Sequence, residues 1–310
     1  MNNNRRRFLQ NLSALSFGAA MGNIPFQALA EKLDIEKIAI LHTNDVHSRV
    51  EPFPLDGGKY QGLGGAARRA TIIDTIRKEE KNILLLDAGD IFQGTPYFNA
   101  FHGEVEMKLM SAMGYDAATI GNHDFDDGIE TLSKQLNNAS FSMLNCNYNL
   151  QNTPLYNKVL PYKTFKINGI KIGVFGIGIE LQGLVPSKCY GEIQYQNPIE
   201  KANTYAAILK HDYKCNLVIC LSHLGLKYES NDKISDIKLA QQSKNIDLII
   251  GGHTHTLLPI PIAIQNADNK EVTINQVGWA GIALGRLDFY FEKNYFSKKC
   301  ISCKPVIISK

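Results

Sequence analysis

The sequence predicts an α/β fold in which two facing mixed β-sheets are flanked by helices. Three observations carry that prediction. Five strand-like runs are apolar along their whole length, as strands are in a sheet covered on both faces. Segments with helical spacing fall between the runs, the alternation expected of parallel βα units. After residue 256 that spacing stops and β-like stretches follow one another, which places hairpins late in the chain.

The elements follow in order. Residues 38–41 form the first run, and 64–78 read as a helix with Ala66, Ala67, Ala70, Ile73 and Ile76 near one face. The second run is 82–86. Residues 104–113 read as a helix stopped by Gly114. The third run, 117–120, precedes a helix over 127–136. Asn168-Gly169 is a strong turn signal and centres a hairpin over 164–174. Pro198 sits in the first turn of a helix over 198–209. The fourth run, 217–221, a short helix over 235–243 and the fifth run, 246–250, come next. Residues 257–264, 271–278 and 285–291 are the late β-like stretches. With no Pro-rich linker, repeat or low-complexity tract, the roughly 280 residues after position 30 fit one large domain, 31–310.

Each run ends in a polar block: Asp45-Val46-His47, Gly89-Asp90, Gly121-Asn122-His123-Asp124, His223, and Gly251-Gly252-His253-Thr254-His255. Taken singly, the blocks have ordinary readings as turns, a capped loop or a satisfied histidine. Their shared place at strand ends is what points to chemistry, because α/β sheets put ligands in the crevice outside the carboxyl ends of their strands. Residues i and i+2 of a strand face one side, so Asp45 and His47 can reach one ion, and His253 and His255 repeat the device. Gly251 and Gly252 are expected to let the backbone turn sharply there. The blocks gather two carboxylates, four imidazoles and one amide, with His123 left for acid–base work. That set suffices for two divalent ions sharing one carboxylate. Such a pair, about 3.5–4 Å apart, clamps a phosphoryl group and lowers the pKa of a bridging water towards neutrality. The hydroxide so formed attacks phosphorus in line, and His123 is suited to protonate the leaving oxygen. Asp126 is placed to orient it, or to cap the helix that follows. Asp87, inside an apolar run, is a weaker choice of bridge than Asp90. The mixed N and O donors suit Zn, Mn, Fe or Co and argue against Mg alone.

At this point the chain resembles the metallophosphatase domain of the 5'-nucleotidases, within the calcineurin-like phosphoesterases. The resemblance covers about residues 36–292. It is carried by Leu41-His42-Thr43-Asn44-Asp45-Val46-His47-Ser48-Arg49, Ala88-Gly89-Asp90-Ile91-Phe92-Gln93-Gly94-Thr95, Gly121-Asn122-His123-Asp124-Phe125-Asp126, Ser222-His223-Leu224-Gly225 and Gly251-Gly252-His253-Thr254-His255-Thr256. It implies that Asp45, His47 and His255 hold one metal, that Asn122, His223 and His253 hold the second, and that Asp90 bridges them. It also implies that His123 and Asp126 are the catalytic pair. Asp124 stands where many members carry Glu and is not a ligand position. Full-size members carry a C-terminal domain that stacks the base and supplies arginines to the phosphate, whereas this chain ends at Lys310. The expected partners are therefore a nucleotide or other phosphoester and, on the rival reading, a separately encoded C-terminal nucleotidase-domain chain without which activity is small. The sequence does not separate a 5'-nucleotidase from a cyclic phosphodiesterase, a nucleotide-sugar hydrolase or the thiosulfohydrolases that share the fold. The base contacts this chain offers are Phe92, Tyr97, Phe98 and Trp279, which all read more readily as core residues, so weak discrimination between phosphomonoesters is expected.

The N-terminus reads as a twin-arginine signal peptide over residues 1–30. Arg5-Arg6-Arg7-Phe8-Leu9 carries the signal, 12–21 is mildly apolar, and Ala28-Leu29-Ala30 offers a cleavage site. That apolar run is too short for a membrane span. The expected location is the periplasm. Of 33 basic and 30 acidic residues, three Arg and no acid fall within residues 1–30, which leaves 30 of each and a formal charge of zero beyond them. A neutral chain argues against a nucleic-acid surface. Six cysteines suit an exported protein. Cys300-Ile301-Ser302-Cys303 could be a tight disulfide, a redox pair or half a zinc site, but no second Cys-x-x-Cys exists. Unpaired or locally paired structural cysteines are the favoured reading.

Overall fold

The computed structural model describes residues 35–230, 232–292, 298–303 and 306–307. The leader expected over 1–30 lies outside them, as do the side chains of Cys300 and Cys303. The first sheet begins with β1 (Ile35–Thr43), β2 (Ile83–Asp87), β3 (Ala117–Thr119) and β4 (Ser142–Leu144), mutually parallel and in that order. The second sheet holds β5 (Tyr162–Ile167), β6 (Ile170–Ile177), β7 (Leu217–Ser222), β8 (Leu248–Gly251), β9 (Ile262–Gln265) and β10 (Glu271–Asn275), in the order β9-β10-β8-β7-β6-β5. Its inner strands are parallel and its two edge pairings antiparallel. The chain then returns to the first sheet as β11 (Ala283–Glu292), antiparallel to β1. Val159–Leu160 beside β4, with Lys298–Cys303 and Val306–Ile307 beside β11, completes eight strands in that sheet.

Period-two alternation sorts each strand between two cores. Ile38, Ile40, Leu84 and Leu86 of the first sheet meet Ile172, Val174, Ile219, Leu221 and Ile250 of the second in a core between the sheets. The opposite faces pack on helices. Leu41, Leu85 and Ala118 lie under α1 (Ala66–Glu79), α2 (Glu104–Met113) and α3 (Ile129–Gln135). Val218, Cys220 and Ile249 lie under α4 (Pro198–Ala207) and α5 (Asp236–Gln242). This is why the five runs are apolar along most of their length. Truncating a fully buried member such as Leu221 to Ala would remove about 2–5 kcal/mol.

Local chemistry explains most boundaries. Asn168 and Gly169, at φ 44° and 83°, make the two-residue turn of the β5–β6 hairpin. Gly114 ends α2 in the left-handed region, and the Asn197 and Ser235 side chains accept backbone N–H groups at the starts of α4 and α5. Three expectations need correction. On α1, Ala67 faces solvent and Arg69 is buried instead, its guanidinium filling space that only the bare Gly281 leaves open. The strand expected over 257–264 is reduced to β9 and a single bridge at Leu257, because Pro259 and Pro261 have no N–H to pair. The helix over 198–209 changes to a π turn from Ile208 to Asp212. Among the described residues no helix is long and apolar enough to cross a membrane.

Candidate metal centre

The loops leaving β1 and β2 run side by side. Asp45 N–H donates to the Gly89 carbonyl (2.9 Å), His47 N–H to Asp90 (3.0 Å) and Ser48 N–H to Ile91 (2.9 Å). Asn44 anchors the end of β1 by donating to the Gly278 carbonyl (2.7 Å) and accepting from Val277 N–H (2.9 Å). Asp45 and His47 do not share a strand face as expected. They lie past the strand end, both in the left-handed region, and still reach one place. Asp45, His47, Asp90, His253 and His255 have φ of 50°, 49°, 54°, 71° and 51°. Non-glycine residues rarely adopt such values, which cost about 1–3 kcal/mol each and gather at functional sites. Two glycines permit the crowding. A Cβ on Gly121 would fall 2.2 Å from Asp90 Oδ1, and one on Gly252 would fall 2.9 Å from the Ala88 carbonyl. Neither Gly251 nor Gly252 has positive φ, so close approach is the reason for the pair rather than the sharp turn expected.

Two groups of donors converge, Asp45 with His47 and His255, and Asp90 with His223 and His253. His47 Nε2 is 3.0 Å from His255 Nε2, and His255 Nε2 is 3.4 Å from Asp45 Oδ1. Asp90 Oδ2 lies 3.0 Å from His223 Nε2 and 3.8 Å from His47 Nε2, so this one oxygen faces both groups. Asn122 Oδ1 is 2.8 Å from His253 Nδ1. The His253 N–H donates to both oxygens of Asp45 (2.9 and 3.0 Å), which ties the two sheets together at the site.

These donors suit a cation better than one another. His223 donates Nδ1–H to the Ala88 carbonyl (2.7 Å). In the neutral imidazole Nε2 would therefore carry the lone pair, buried 3.0 Å from the Asp90 carboxylate, a place that a proton or a cation can fill. His47 Nδ1 likewise lies 3.2 Å from the Phe92 carbonyl, which turns the Nε2 lone pair towards His255. Backbone carbonyls that fix imidazole tautomers in this way are the usual outer shell of metal-binding histidines. The electrostatics agree. Burial would raise Asp90, but His223, His47 and His123 outweigh it and hold the carboxyl well below the usual carboxylate range. Burial would lower His223, yet Asp90 and Asp45 prevail and push it up to about 10. Burial and the adjacent His223 bring His253 down to about 4. Burial also lowers His47, against Asp90 and Asp45. The site is thus a nest of lone pairs and carboxylates that needs positive charge, which metal ions can supply in place of protons.

His123 stands at the edge of this nest, its ring 5.3 Å from that of His47. Its N–H donates to Asp90 Oδ1 (2.8 Å), and its Nδ1 lies 2.7 Å from Asp126 Oδ2, a contact that raises the imidazole pKa. Asp126 is occupied by His123 and caps no helix, since Gly128 precedes α3 without a side-chain cap. Asp124 is the functional position that sequence reasoning passed over. Its carboxylate accepts the N–H groups of Asp90 (3.2 Å), Ile91 (2.8 Å), Phe92 (3.1 Å) and Gly121 (2.8 Å) and so shapes the loop that carries Asp90. Burial and the Asp90 charge push it up to about 7. The signal available was its place in the Gly-Asn-His-Asp block.

Other candidates fall away from the centre. Asp87 accepts from Thr43 Oγ1 (2.5 Å) and Gly89 N–H (2.8 Å) inside the core. His42 Nε2 pairs with Asn275 Oδ1 (2.8 Å), burial bringing it down to about 4. His102 pairs with Asp127 at the surface, and His211 is exposed. Phe92 and Phe98 are core residues as expected, whereas Tyr97 and Trp279 are only partly buried. Trp279 stacks on His255, with ring centroids 5.4 Å apart and planes 4° apart. Cys146, Cys189, Cys215 and Cys220 are unpaired.

Known proteins share this architecture. The structure is similar to the 5'-nucleotidase precursor of Thermus thermophilus (TM-score 0.75, 29% identity, 87% of this chain and 54% of that one). It is also similar to the NAD nucleotidase of Haemophilus influenzae (TM-score 0.75, 30% identity, 88% and 56%). In sequence the chain is 33% identical over 294 residues to the snake venom 5'-nucleotidase of Crotalus adamanteus, covering 88% of this chain and 48% of that protein. The chain thus spans about half the length of the curated relatives it matches. The family model described as calcineurin-like phosphoesterase matches residues 38–257, a span that runs from β1 to just beyond the Gly-His-Thr-His block and takes in every residue of the centre. On that match, with the sheets and donor groups that accompany it, the chain belongs to the calcineurin-like phosphoesterases.

Proposed function

We propose that this chain is a dinuclear metal-dependent phosphohydrolase, a 5'-nucleotidase-like phosphomonoesterase. One observation carries the reading: Asp90 Oδ2 faces His223 Nε2 at 3.0 Å and His47 Nε2 at 3.8 Å, between two groups of donor atoms that could each hold a metal ion. Asp45, His47 and His255 would hold one ion, Asn122, His223 and His253 the other, and Asp90 both. When bound, two divalent ions supply charge for the phosphoryl oxygens and a water acidic enough to act as nucleophile near neutral pH. His123 donates a proton from Nε2 to the leaving oxygen, while Asp126 holds Nδ1 and favours the imidazolium. Asp124 fixes the Asp90 loop through four N–H groups. Purified chain reconstituted with Zn or Mn should bind about two equivalents and hydrolyse a generic aryl phosphate. Absence of bound ion after reconstitution would overturn the reading.

A second reading is favoured by the relatives' length, of which this chain covers about half. Here the chain is the metal-binding half of a split nucleotidase and needs a separate C-terminal-domain chain. Equal AMP turnover with and without such a chain would exclude that dependence. Export by the twin-arginine route to the periplasm is part of the proposal and rests on Arg5-Arg6-Arg7-Phe8-Leu9. Lys at all three arginines should retain the protein in the cytoplasm, and periplasmic recovery of that variant would refute the route.

A further inference from the structure

The loops that leave β6, β7 and β8 at their carboxyl ends enclose, with the Tyr195–Pro198 segment, a cavity of about 460 Å³. His253 forms part of its wall, so the cavity opens directly on the second donor group. That position is where α/β sheets place ligands, and the volume is within the range of small-molecule sites. Tyr195, Tyr228, Leu184 and Leu224 form the aromatic and apolar part of its wall, beside polar side chains that include Gln182 and Asn197. Tyr228 is held in place, its hydroxyl donating to the Leu224 carbonyl (2.6 Å) and its ring lying 5.3 Å from Lys233 Nζ. Leu184, a large apolar side chain of the lining, is 44% exposed. Glu180 and Asp232 offset Lys233 at the rim, so the cavity has no excess positive charge with which to bind a phosphate.

We infer that this cavity receives the uncharged, planar organic half of the substrate, held between aromatic and apolar walls while the phosphoryl group lies on the metal ligands. The inference rests on the phosphohydrolase reading for its second half only. It differs from the weak discrimination expected from sequence, because Leu184, Tyr195 and Tyr228 lie outside the motif stretches. The probes are AMP, ribose 5-phosphate and free adenosine, applied to the metal-loaded full chain. AMP should exceed ribose 5-phosphate in kcat/KM by about 10–200-fold, the scale of discrimination by an apolar pocket. Adenosine, which has no phosphate, should bind in a calorimetric titration. Leu184→Asp, at an exposed position that leaves the core intact, should weaken adenosine at least tenfold and reduce the AMP to ribose 5-phosphate ratio by a similar factor. Tyr228→Leu should act in the same direction. Hydrolysis of AMP and ribose 5-phosphate within threefold of each other, with no adenosine binding, would overturn the cavity assignment and leave the phosphohydrolase standing. Adenosine binding unaltered by both substitutions would also overturn it. Leu184-dependent adenosine binding without hydrolysis of any phosphoester would support the cavity and overturn the function proposed above.

Discussion

The two donor groups have similar chemistry and different surroundings. His223 and Asp90 are 0% and 1% exposed, and the ring of His223 is locked by the Ala88 carbonyl between the two sheets. In the other group Asp45 is buried, but the His255 side chain is 40% exposed and leans on Trp279. Each group takes one histidine from the loop after β8, but His253 of the first is partly buried and His255 of the second is exposed. Burial strengthens the attraction between donors and a cation, and rigid outer contacts reduce the entropy lost on binding. The buried group should hold its ion more tightly. Stepwise chelation of the reconstituted chain should remove one equivalent before the other, and mutation of His255 should abolish the early step. Simultaneous release of both would mean that the difference in burial has no consequence.

The largest effect should come from the residue common to both groups. Asp90→Asn removes the charge that faces His223 and His47, so metal analysis should find no more than one bound equivalent. The loss of activity should exceed that of any other single change. His123→Asn comes next and separates chemistry from binding. His123 touches Asp90 only through its backbone, so both ions should stay while turnover falls about 10²–10⁴-fold. The deficit should shrink for a substrate with an acidic leaving group. Loss of a metal from this variant would show that His123 is a ligand and that the groups were divided wrongly.

Both groups were legible in the sequence, because Asp45, Asp90, Asn122, His223 and His253 stand within a few positions of the ends of apolar runs, and such a run predicts a strand covered on both faces. The sandwich, its late hairpin and most helix ends followed from the same periodicities and from caps such as Asn197 and Gly114. What stayed hidden depends on contacts distant in sequence. Arg69 is buried because Gly281 leaves it room, and no helical period predicts that. Asp124 passed for a spare acid because its four partners lie on a loop more than thirty positions away or on its own turn. The cavity beside His253 is assembled from loops after three different strands, none of them periodic.

Asp124→Asn sharpens the comparison from the buried side. An amide would turn an NH₂ towards N–H groups that now meet a carboxylate oxygen, leaving two donors without acceptors. Each such loss costs about 1–3 kcal/mol. The melting temperature should fall, and affinity for the buried group's metal should drop about 10–100-fold, the usual effect of removing an outer support. The exposed group should be less affected. Equal weakening of both groups would mean that the Asp90 loop supports the whole centre, and the distinction between them would lose its structural basis.

The smallest effect tests the exposed side. Trp279 touches His255 by stacking alone, and an aromatic contact of this kind is worth about 0.5–1.5 kcal/mol beyond its buried area. Its other neighbours, Phe53 and Tyr60, lie 5.7 and 5.8 Å away at ring centroids and keep the indole in place without entering the site. In Trp279→Ala the imidazole of His255 regains rotational freedom that binding must then remove. The metal held with Asp45 and His47 should bind more weakly by up to about tenfold, since 1.4 kcal/mol is one decade in affinity. The metal held with His223 should be unchanged, because the Ala88 carbonyl, and not the indole, orients that ring. Trp279→Phe keeps a stacking surface and should recover most of the loss, which a general loosening of the loop would not allow. The measurement is a competitive chelator titration of wild type and both variants. If alanine left the early step of metal release where it was, stacking would contribute nothing to the exposed site, and its weaker hold would have to come from solvent access alone.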